Sequence, residues 1–326
     1  MKVSVALAAY NGERYIRQQL DTIIHQSRIP DEIIIVDDNS SDNTADIIDI
    51  YMLQNADILN KIKFVFIRSK LNRGFIENFR YIVGMCTGDI IFTCDQDDIW
   101  EYDKIDQMTE CFEKDNSVKL VASSLKFVNA EGVIINKSYI PYGIGAANNA
   151  MTNIALDRII EKNYFPGCTM AIRKEIVAKY LEFKNMNISH DWSMAMIAAA
   201  EGGLYWFNRV LIKYRIHDNN TLGLAAAGSK RYYIKRTLST WRQYCIDLRK
   251  RVEFVRKELN IDNLMCDYIK YMDIFTCMRM NVIQGHKPFR SYMNEIQIYL
   301  HRLKGKIDKK GLIIDFIYIF IRKGNQ

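Results

Sequence analysis

The sequence predicts an α/β fold with a largely parallel sheet, followed by a helical C-terminal region. Two observations carry this prediction. Short apolar runs alternate with helix-like patterns in the first half of the chain, and apolar residues recur at helical spacing beyond Lys230. The 326 residues are 49% hydrophobic and 25% charged, which allows a substantial core in one large domain or two smaller ones.

The first half of the chain alternates strand and helix patterns. We predict strands at 2–9, 31–38, 61–69 and 88–95, with helices at 13–27, 41–55 and 72–86. Near-continuous apolar strands separated by helices are typical of a parallel sheet covered on both faces. In such a sheet, ligands bind at the carboxyl ends of the strands. Those ends carry AAYNGE, VDDNSSD and CDQDD, so we expect a ligand site there.

The second half mixes the two patterns before it becomes helical. The predicted elements are a helix at 102–114, a strand at 119–128, a mobile loop at 141–150, a turn, strand and helix within 164–181, a helix at 190–202, and a pair of strands at 203–208 and 209–217. The small residues of 221–229 predict a linker or closing loop. From Ile234 to Leu259, a heptad-like apolar stripe predicts a long helix.

The C-terminal region is strongly basic. Residues 226–326 hold 21 Lys and Arg against 9 Asp and Glu, within a chain of net charge +7. Three interpretations remain open for this helical region: packing on its own domain with a solvated basic face, contact with a membrane surface or lipid phosphates, and dimerisation.

Cysteine usage and hydropathy predict a cytoplasmic protein. The seven cysteines are scattered and form no C-x-x-C pair, which favours packed thiols in a reducing compartment over disulfides or a zinc site. The stretch closest to a membrane span, 311–320, is too short to cross a bilayer and contains Asp315.

Three carboxylates crowd into TCDQDDIW, which spans Thr93 to Trp100. Because Asp95, Asp97 and Asp98 repel one another, a cation should hold them together. Carboxylates spaced D-x-D at a strand end chelate Mg²⁺ or Mn²⁺ together with substrate phosphates. Two other interpretations remain open. One is a solvated acidic helix start, and the other is the D-x-D signature of haloacid-dehalogenase-type phosphatases, which normally begins its domain rather than following a fourth strand.

Six segments occur in a fixed order along the chain: SVALAAYNGERYIRQQLDTIIHQS, EIIIVDDNSSDNT, NRGFIENFRYIVGMCTGDIIFTCDQDDIW, PGCTMAIRK, HDWSMAMIAA and YRIHDNNT. In this order and spacing, the chain resembles the family 2 glycosyltransferases over about residues 1–225. The long acidic form DQDDIW resembles the bacterial rhamnosyltransferase-like branch, which assembles surface polysaccharides. The resemblance does not extend to residues 226–326.

The resemblance implies a GT-A fold, in which a Rossmann-like α/β domain has a mixed, mostly parallel central sheet, here with a helical C-terminal extension. We expect a catalytic domain at 1–225, with a nucleotide-sugar half at about 1–115 and an acceptor half at about 116–225. The basic helical region at 226–326 would then contact a membrane or the acceptor. The implied chemistry is a single displacement with inversion at the anomeric carbon, dependent on Mn²⁺ or Mg²⁺.

Family positions imply roles for individual residues. Asp97 and His217 are the expected metal ligands. The expected nucleotide-binding residues are Ala9, Tyr10, Asp38, Asn72, Gly74, Asn78 and Asp95. Arg215 is a candidate for a phosphate or loop contact.

The acceptor hydroxyl needs a carboxylate base, because its own pKa lies far above neutrality. Asp191, in the HDW segment at a predicted helix start, matches the catalytic base of the family, although an N-cap Asp would look the same in sequence. The residues expected near the acceptor or sugar are Asp98, Trp100, Gly167, Cys168 and His190. For two of these an alternative stays open: Asp98 caps the next helix, or Trp100 anchors the loop.

The sequence therefore predicts a metal-dependent inverting glycosyltransferase. Its partners would be a nucleoside diphosphate sugar, such as dTDP-rhamnose or a UDP-sugar, and a saccharide or lipid-linked saccharide acceptor, with no nucleic acid. Peripheral contact with the inner face of the cell membrane is expected through the basic helices. The alternatives are the phosphatase and a catalytically inactive sugar-nucleotide-binding scaffold.

Overall fold

The computed structural model describes residues 1–135, 147–183, 188–217, 238–303 and 312–315. Most of the predicted loop at 141–150 and the whole predicted linker at 221–229 lie outside these residues. The chain divides into two compact units, Met1–Ile154 with Tyr164–Ala225, and Ala155–Asn163 with Ala226–Gln326. Each unit is described by itself below.

The first unit is built on one nine-stranded sheet. Its strands are β1 Val3–Ala9, β2 Glu32–Asp37, β3 Lys63–Arg68, β4 Ile90–Asp95, β5 Ile99–Trp100, β6 Leu120–Val128, β7 Met151–Asn153, β8 Met170–Arg173 and β9 Leu204–Arg215. The described residues include the helices α1 Ile16–Ile24, α2 Thr44–Gln54, α3 Ala56–Leu59, α4 Phe75–Met85, α5 Lys104–Lys114, α6 Leu156–Ile159, α7 Lys174–Glu182, α8 His190–Ala200, α9 Leu238–Glu258, α10 Asn263–Gln284 and α11 Pro288–Ile298. A short 3₁₀ turn, Gly167–Thr169, precedes β8.

The strand order is β3-β2-β1-β4-β8-β6-β9-β5, with β7 paired to β9. The ladders β3-β2, β2-β1, β1-β4 and β6-β9 are parallel, and the remaining ladders are antiparallel. The predicted mixed α/β sheet is therefore confirmed. In the register of the sheet, Ala9 lies opposite Asp37 and Ala8 opposite Asp95, so the polar strand ends meet at one edge.

Strand β2 has helices and strands on every side, and all six of its residues are buried. Burial of an Ile or Val side chain contributes roughly 1.5–3 kcal/mol, so the apolar residues of this strand help to stabilise the centre of the sheet. Its first residue, Glu32, is fully buried and accepts hydrogen bonds from Lys63 Nζ at 2.5 Å and Thr87 N at 2.7 Å. A buried network of polar groups thus closes the end of the sheet opposite the acidic motif.

The predicted pair of strands at 203–208 and 209–217 is wrong, because a single strand, β9, runs through both segments. It pairs in parallel with β6, and the register shifts twice between Ser123 and Leu125. The polar residues at the predicted break are satisfied inside the strand. Asn208 Oδ1 accepts a hydrogen bond from Ser124 Oγ at 3.2 Å, and Arg209 donates to Gln107 Oε1 at 2.7 Å. A bulge therefore replaces the turn that the polar pair suggested.

In the second unit, helix α9 buries the apolar stripe that the sequence predicted. Its buried residues include Trp241, Cys245, Leu248, Val252 and Val255. Their burial within the unit supports the interpretation of a helix packed on its own domain. Ile234 and the side chain of Leu238 lie outside the described residues.

Much of the positive charge on α9 is neutralised locally. Arg249 pairs with Asp273 at 2.6 Å, and Lys250 pairs with Asp247 at 3.7 Å. Arg251 is buried and donates to the carbonyl of Ile160 at 2.8 Å, which ties the 155–163 segment to the helices. Residues 238–303 hold 11 Lys and Arg against 7 Asp and Glu. Most of the cationic excess of the C-terminal region therefore lies outside the described helices.

Asp315 belongs to a buried ion pair. Its Oδ2 accepts a hydrogen bond from Arg279 Nε at 2.7 Å, and its Oδ1 accepts one from Trp241 Nε1 at 2.7 Å. Arg279 Nε also donates to Glu295 Oε1, at 3.1 Å. Within the described part of the chain, every helix is too short or too polar to cross a bilayer.

Candidate active site

A side-chain amide links the acidic motif to the end of β1. Gln96 Oε1 accepts a hydrogen bond from Tyr10 N at 2.7 Å, and Gln96 Nε2 donates to Tyr10 O at 2.8 Å. A Cβ atom added at Gly12 would overlap the same amide group, so a larger residue there would displace the Gln96 side chain. The sequence analysis did not single out Gln96, since a glutamine between carboxylates carries no pattern of its own.

Asp97 and His217 lie side by side, as expected for two ligands of one metal ion. His217 Nε2 is 2.8 Å from Asp97 Oδ2, and the two side chains are 12% and 14% exposed. The imidazole ring packs on the ring of Tyr15, with 4.8 Å between their centroids. These contacts hold a carboxylate oxygen and an imidazole nitrogen, both possible metal ligands, together at a partly exposed position.

Arg215 fixes the loop that carries the acids. Its Nε donates to the Asp97 carbonyl at 2.7 Å, and its backbone N donates to Asp98 Oδ1 at 3.0 Å. Another guanidinium nitrogen donates to the Ala130 carbonyl at 2.7 Å, and the group lies over the Tyr15 ring. Of the two roles expected for Arg215, these contacts support the loop contact.

Asp95, Asp98 and Cys168 form a second, more buried group whose ligand atoms all lie within 4.8 Å of one another. Burial raises the pKa of Asp95 to about 7, and the charges of Asp97 and Asp191 add to the effect. Burial also raises the pKa of Asp98 well above its ordinary value, with Asp97 and Asp95 next in importance. These acids share their protons near neutral pH instead of all being ionised.

Asp98 does not cap the next helix, which corrects one of its two expected roles. Asp103 occupies the N-cap position of α5, whereas Asp98 is 1% exposed and accepts its hydrogen bond from Arg215 N. Its other oxygen, Oδ2, has no hydrogen-bond partner within the described part of the chain. The backbone N–H of Arg215 in β9 thus binds the carboxylate for which a helix cap was one of two expected roles.

Trp100 lies in the hydrophobic core. Its side chain is 3% exposed and packs against Phe92, with 5.9 Å between ring centroids. Lys104 Nζ lies 4.8 Å from the centroid of the Trp100 ring and donates to the Cys168 carbonyl at 2.9 Å. This environment supports the alternative in which Trp100 anchors the loop.

The residues expected to bind the nucleotide surround the turn before α4. Asp38 is buried, and its two oxygens accept hydrogen bonds from Arg73 N and Gly74 N, each at 2.9 Å. Asn72 Oδ1 also accepts from Gly74 N at 2.9 Å, and Gly74 has a φ of +77° that favours glycine. Each oxygen of Asp38 keeps a further lone pair with which to accept a donor.

Three more of these residues differ widely in exposure. Ala9 is buried at the end of β1, and its carbonyl accepts a hydrogen bond from Asp38 N at 2.8 Å. The Tyr10 side chain is 49% exposed. Asn78 is 2% exposed, and its Oδ1 has no hydrogen-bond partner among the residues that the structure describes. Ala9 thus contributes backbone, Tyr10 an open ring and Asn78 a buried amide.

Asp191 lies in the first turn of α8, where Ser189 takes the N-cap position. The N-cap interpretation of Asp191 is therefore wrong. Its Oδ1 accepts a hydrogen bond from Trp192 N at 2.7 Å, which orients the carboxylate. The charge of Asp191 also contributes to the raised pKa of Asp95, so the expected base lies within electrostatic reach of the acidic motif.

His190 and Gly167 pack tightly beside that carboxylate. The His190 ring stacks on Phe79 with 3.8 Å between centroids, and burial lowers its pKa, although the charge of Asp191 opposes the shift. A Cβ atom at Gly167 would lie 2.8 Å from His190 Nε2 and 3.5 Å from Asp191 Cβ. The Gly167 carbonyl accepts a hydrogen bond from Thr93 Oγ1 at 2.6 Å. Through these contacts, the turn that carries Gly167 packs between β4 and the start of α8.

The residues present fit a divalent cation. The carboxylate of Asp97 suits Mg²⁺ and Mn²⁺, and the imidazole of His217 suits Mn²⁺ among others. The buried group is a poorer ligand set, because burial raises the pKa of the Cys168 thiol well above its usual value and a neutral thiol binds metals weakly. Asp97 and His217 are therefore the better pair.

A cavity of about 340 Å³ lies apart from this site, between α5 and the strands β7 and β9. It is lined by Gln107, Glu110, Cys111, Lys114, Asp115, Val118, Asn149, Met151, Tyr205, Phe207 and Arg209. None of the expected site residues is among its lining residues.

Comparison with known proteins decides the family. Residues 4–181, more than half of the chain, match the model of "Glycosyl transferase family 2". The chain belongs to glycosyl transferase family 2. The expected resemblance is thereby confirmed, and the phosphatase interpretation is not favoured.

Relatives of this glycosyltransferase extend the comparison. The dTDP-rhamnosyl transferase RfbG of Shigella flexneri is 31% identical over 238 residues, which cover 69% of this chain and 76% of that protein. An uncharacterized glycosyltransferase of Haemophilus influenzae is 25% identical over 334 residues, which cover 99% of this chain and 97% of the relative. The crystal structure of TarS 1-349 from S. aureus in complex with UDP has a TM-score of 0.58 and 15% identity, covering 98% of this chain and 88% of that one. That likeness shows a shared fold.

Proposed function

We propose that this glycosyltransferase is a metal-dependent, inverting enzyme that moves a sugar from a nucleoside diphosphate sugar to a hydroxyl of a surface polysaccharide or lipid-linked oligosaccharide. The observation that carries the proposal is the position of Asp97 and His217, 2.8 Å apart and partly exposed. They belong to the edge of the sheet where parallel strands end, which is where ligands bind in such folds. Asp191 lies within electrostatic reach of the same motif.

The proposed reaction follows from these positions. Asp191 takes the proton of the acceptor hydroxyl while the acceptor oxygen bonds to the anomeric carbon. The bond from that carbon to the diphosphate oxygen breaks, and its electron pair leaves with the nucleoside diphosphate. Attack opposite the leaving group inverts the configuration. When bound at Asp97 and His217, a divalent cation supplies positive charge to the departing diphosphate.

Donor recognition would begin at the turn before α4. Asp38 accepts hydrogen bonds from the backbone N–H groups of Arg73 and Gly74. We propose that a base or ribose binds against this stretch of backbone. No atom lies within 4 Å of the Cβ position of Gly74 among the described residues. The relative RfbG is named as a dTDP-rhamnosyl transferase, and related structures hold UDP or UDP-GlcNAc. We therefore propose dTDP-rhamnose or a UDP-sugar as the donor.

The proposed acceptor places the enzyme at the inner face of the cell membrane. The basic excess of 226–326, 21 Lys and Arg against 9 Asp and Glu, supports peripheral contact with anionic lipid headgroups. Most of that excess lies outside the described helices, so the proposed contact rests on the charge of the region as a whole.

Binding of the nucleotide tests the function directly. We expect UDP or dTDP to raise the midpoint of thermal unfolding in the presence of Mn²⁺, and to do so less in EDTA, because a ligand stabilises the state that it binds. Inorganic phosphate with Mn²⁺ is the control for a general anion effect. If neither nucleotide changes the midpoint with Mn²⁺, the proposed function is wrong.

A further inference from the structure

Lys104 is a fully buried lysine next to the acidic motif. It is the first residue of α5, and its Nζ donates a hydrogen bond to the Cys168 carbonyl at 2.9 Å. The ammonium group also lies 4.8 Å from the centroid of the Trp100 ring. In the sequence, Lys104 lies near the start of the helix predicted at 102–114.

Two physical costs make this position unusual for a lysine. Burial disfavours the charged form and lowers the pKa of Lys104 to about 8. A cation in the first turn of a helix also faces the positive end of the helix dipole. A methionine of similar length would fill the same space without either cost. The lysine must therefore contribute something that an apolar side chain cannot.

Cys168 connects Lys104 to the acidic motif. Lys104 Nζ donates to the Cys168 carbonyl, and Cys168 Sγ lies within 4.8 Å of ligand atoms of both Asp95 and Asp98. Lys104 therefore holds a residue that lies against both carboxylates.

Lys104 and Thr93 both donate side-chain hydrogen bonds to the Gly167–Thr169 turn. Thr93 Oγ1 donates to the Gly167 carbonyl at 2.6 Å, and Lys104 Nζ donates to the next carbonyl, that of Cys168. The same turn packs against α8, because the Cβ position of Gly167 is 3.5 Å from Asp191 Cβ. A continuous chain of contacts therefore leads from Lys104 to the expected base.

We propose that Lys104 is a positioning residue for sugar transfer, which fixes the Gly167–Thr169 turn and, through it, Asp191 relative to the acidic motif. This inference rests on the proposed function. A positioning residue of this kind acts on the reaction step and leaves nucleotide binding largely intact, because the turn before α4 and the Asp97–His217 pair do not depend on its hydrogen bond.

Lys104→Met and Lys104→Arg test the proposal. The readouts are the dissociation constants of UDP and dTDP with Mn²⁺, and the rates at which UDP is released from UDP-GlcNAc and dTDP from dTDP-rhamnose. We expect Lys104→Met to lower the release rate of the nucleotide that binds by roughly 100-fold, the scale of a displaced reacting group. Its nucleotide dissociation constant should stay within about threefold of the original, a change below 1 kcal/mol. Lys104→Arg keeps the charge and should recover part of the rate.

Lys126→Met is the matched control, because Lys126 is an exposed lysine on β6 of the same unit. It should behave like the original protein. If Lys104→Met does not fold, Thr93→Val takes its place, since it removes the neighbouring hydrogen bond to the same turn without changing size. The same loss of rate at unchanged nucleotide affinity is expected.

The outcomes separate the two proposals. A folded Lys104→Met protein with an unchanged release rate overturns the positioning role, and so does one whose rate falls only in step with nucleotide affinity. Where Lys104→Met does not fold, an unchanged rate in Thr93→Val overturns it. If the original protein binds neither nucleotide, the proposed function fails and the role of Lys104 in transfer fails with it.

Discussion

His217 Nε2 lies 2.8 Å from Asp97 Oδ2 although the two residues are 120 positions apart in the sequence. Asp97 is in the loop that follows β4, and His217 follows the end of β9. The contact therefore exists only once the sheet has brought these two distant segments together. Loss of either side chain should affect metal-dependent binding without removing the rest of the nucleotide site.

Asp97→Asn should weaken Mn²⁺-dependent binding of UDP or dTDP by roughly tenfold to 100-fold, because an amide oxygen replaces a charged ligand. Isothermal titration with and without Mn²⁺ measures the effect. Binding in EDTA should change little. Asp57→Asn, at an exposed aspartate in α3, is the control. Unchanged Mn²⁺-dependent affinity in Asp97→Asn would contradict the assignment of Asp97 as a metal ligand.

Asp191→Asn should lower the transfer rate by about 10²- to 10⁴-fold, the usual contribution of a general base. The amide keeps the shape of the side chain and its acceptor for Trp192 N, so nucleotide affinity should stay the same. Measuring the rate under saturating donor separates the two effects. A variant that binds donor normally and transfers sugar at full rate would remove Asp191 from the role of base.

Gly167→Ala should destabilise the first unit by about 1–3 kcal/mol, because the added methyl group would lie 2.8 Å from His190 Nε2 in a packed region. The transfer rate should fall as well, since the same turn packs against Asp191. Gly84→Ala is the matched control. Gly84 lies in α4, and its nearest neighbour is Leu181 at 3.6 Å, so alanine fits there and should stabilise the helix slightly. Equal unfolding free energies for the two variants would rule out a close contact at Gly167.

Glu32→Gln should reduce the free energy of unfolding by about 2 kcal/mol at pH 6, and by progressively less as the pH falls. Burial alone would raise the pKa of Glu32, but hydrogen bonds from Lys63, Ser4 and Thr87 outweigh burial and lower it to about 2. A lowered pKa in the folded state gives stability that is complete above the ordinary value of 4.5 and is lost as the pH falls toward 2.

Denaturant titrations of both proteins at several pH values between 6 and 3 check this dependence on Glu32. The difference between the two proteins should shrink over the acidic part of that range. A difference that stays constant with pH would show that the carboxylate is not held ionised by its partners.

Local patterns in the sequence predicted the alternating elements and the meeting of the polar strand ends at one edge of the sheet. The buried run of β2 and the acids after β4 follow directly from residue type and spacing. The resemblance added Asp191 and His217, which residue patterns alone would have left as a helix-start acid and a lone histidine.

Tertiary contacts account for what the sequence did not predict. Gln96 and Lys104 have no distinctive local pattern, because each acts through a backbone carbonyl that another element supplies. The one available signal for Lys104 was a cation in the first turn of a helix, where the helix dipole disfavours it. The helix-cap role considered for Asp98 was wrong for the same reason, because its partner is the backbone N–H of Arg215, 117 positions away.

The ion pair of Asp315 sets a limit on how far the protein can be shortened from its C-terminal end. Asp315 is the acceptor for Trp241 Nε1 and the nearer carboxylate to Arg279 Nε, at 2.7 Å in each case. A chain that stops before residue 315 would leave the indole N–H without its acceptor and the guanidinium with Glu295 as its remaining partner there. Truncations meant to remove the basic tail should therefore keep Asp315, or they will weaken the helical unit along with the tail.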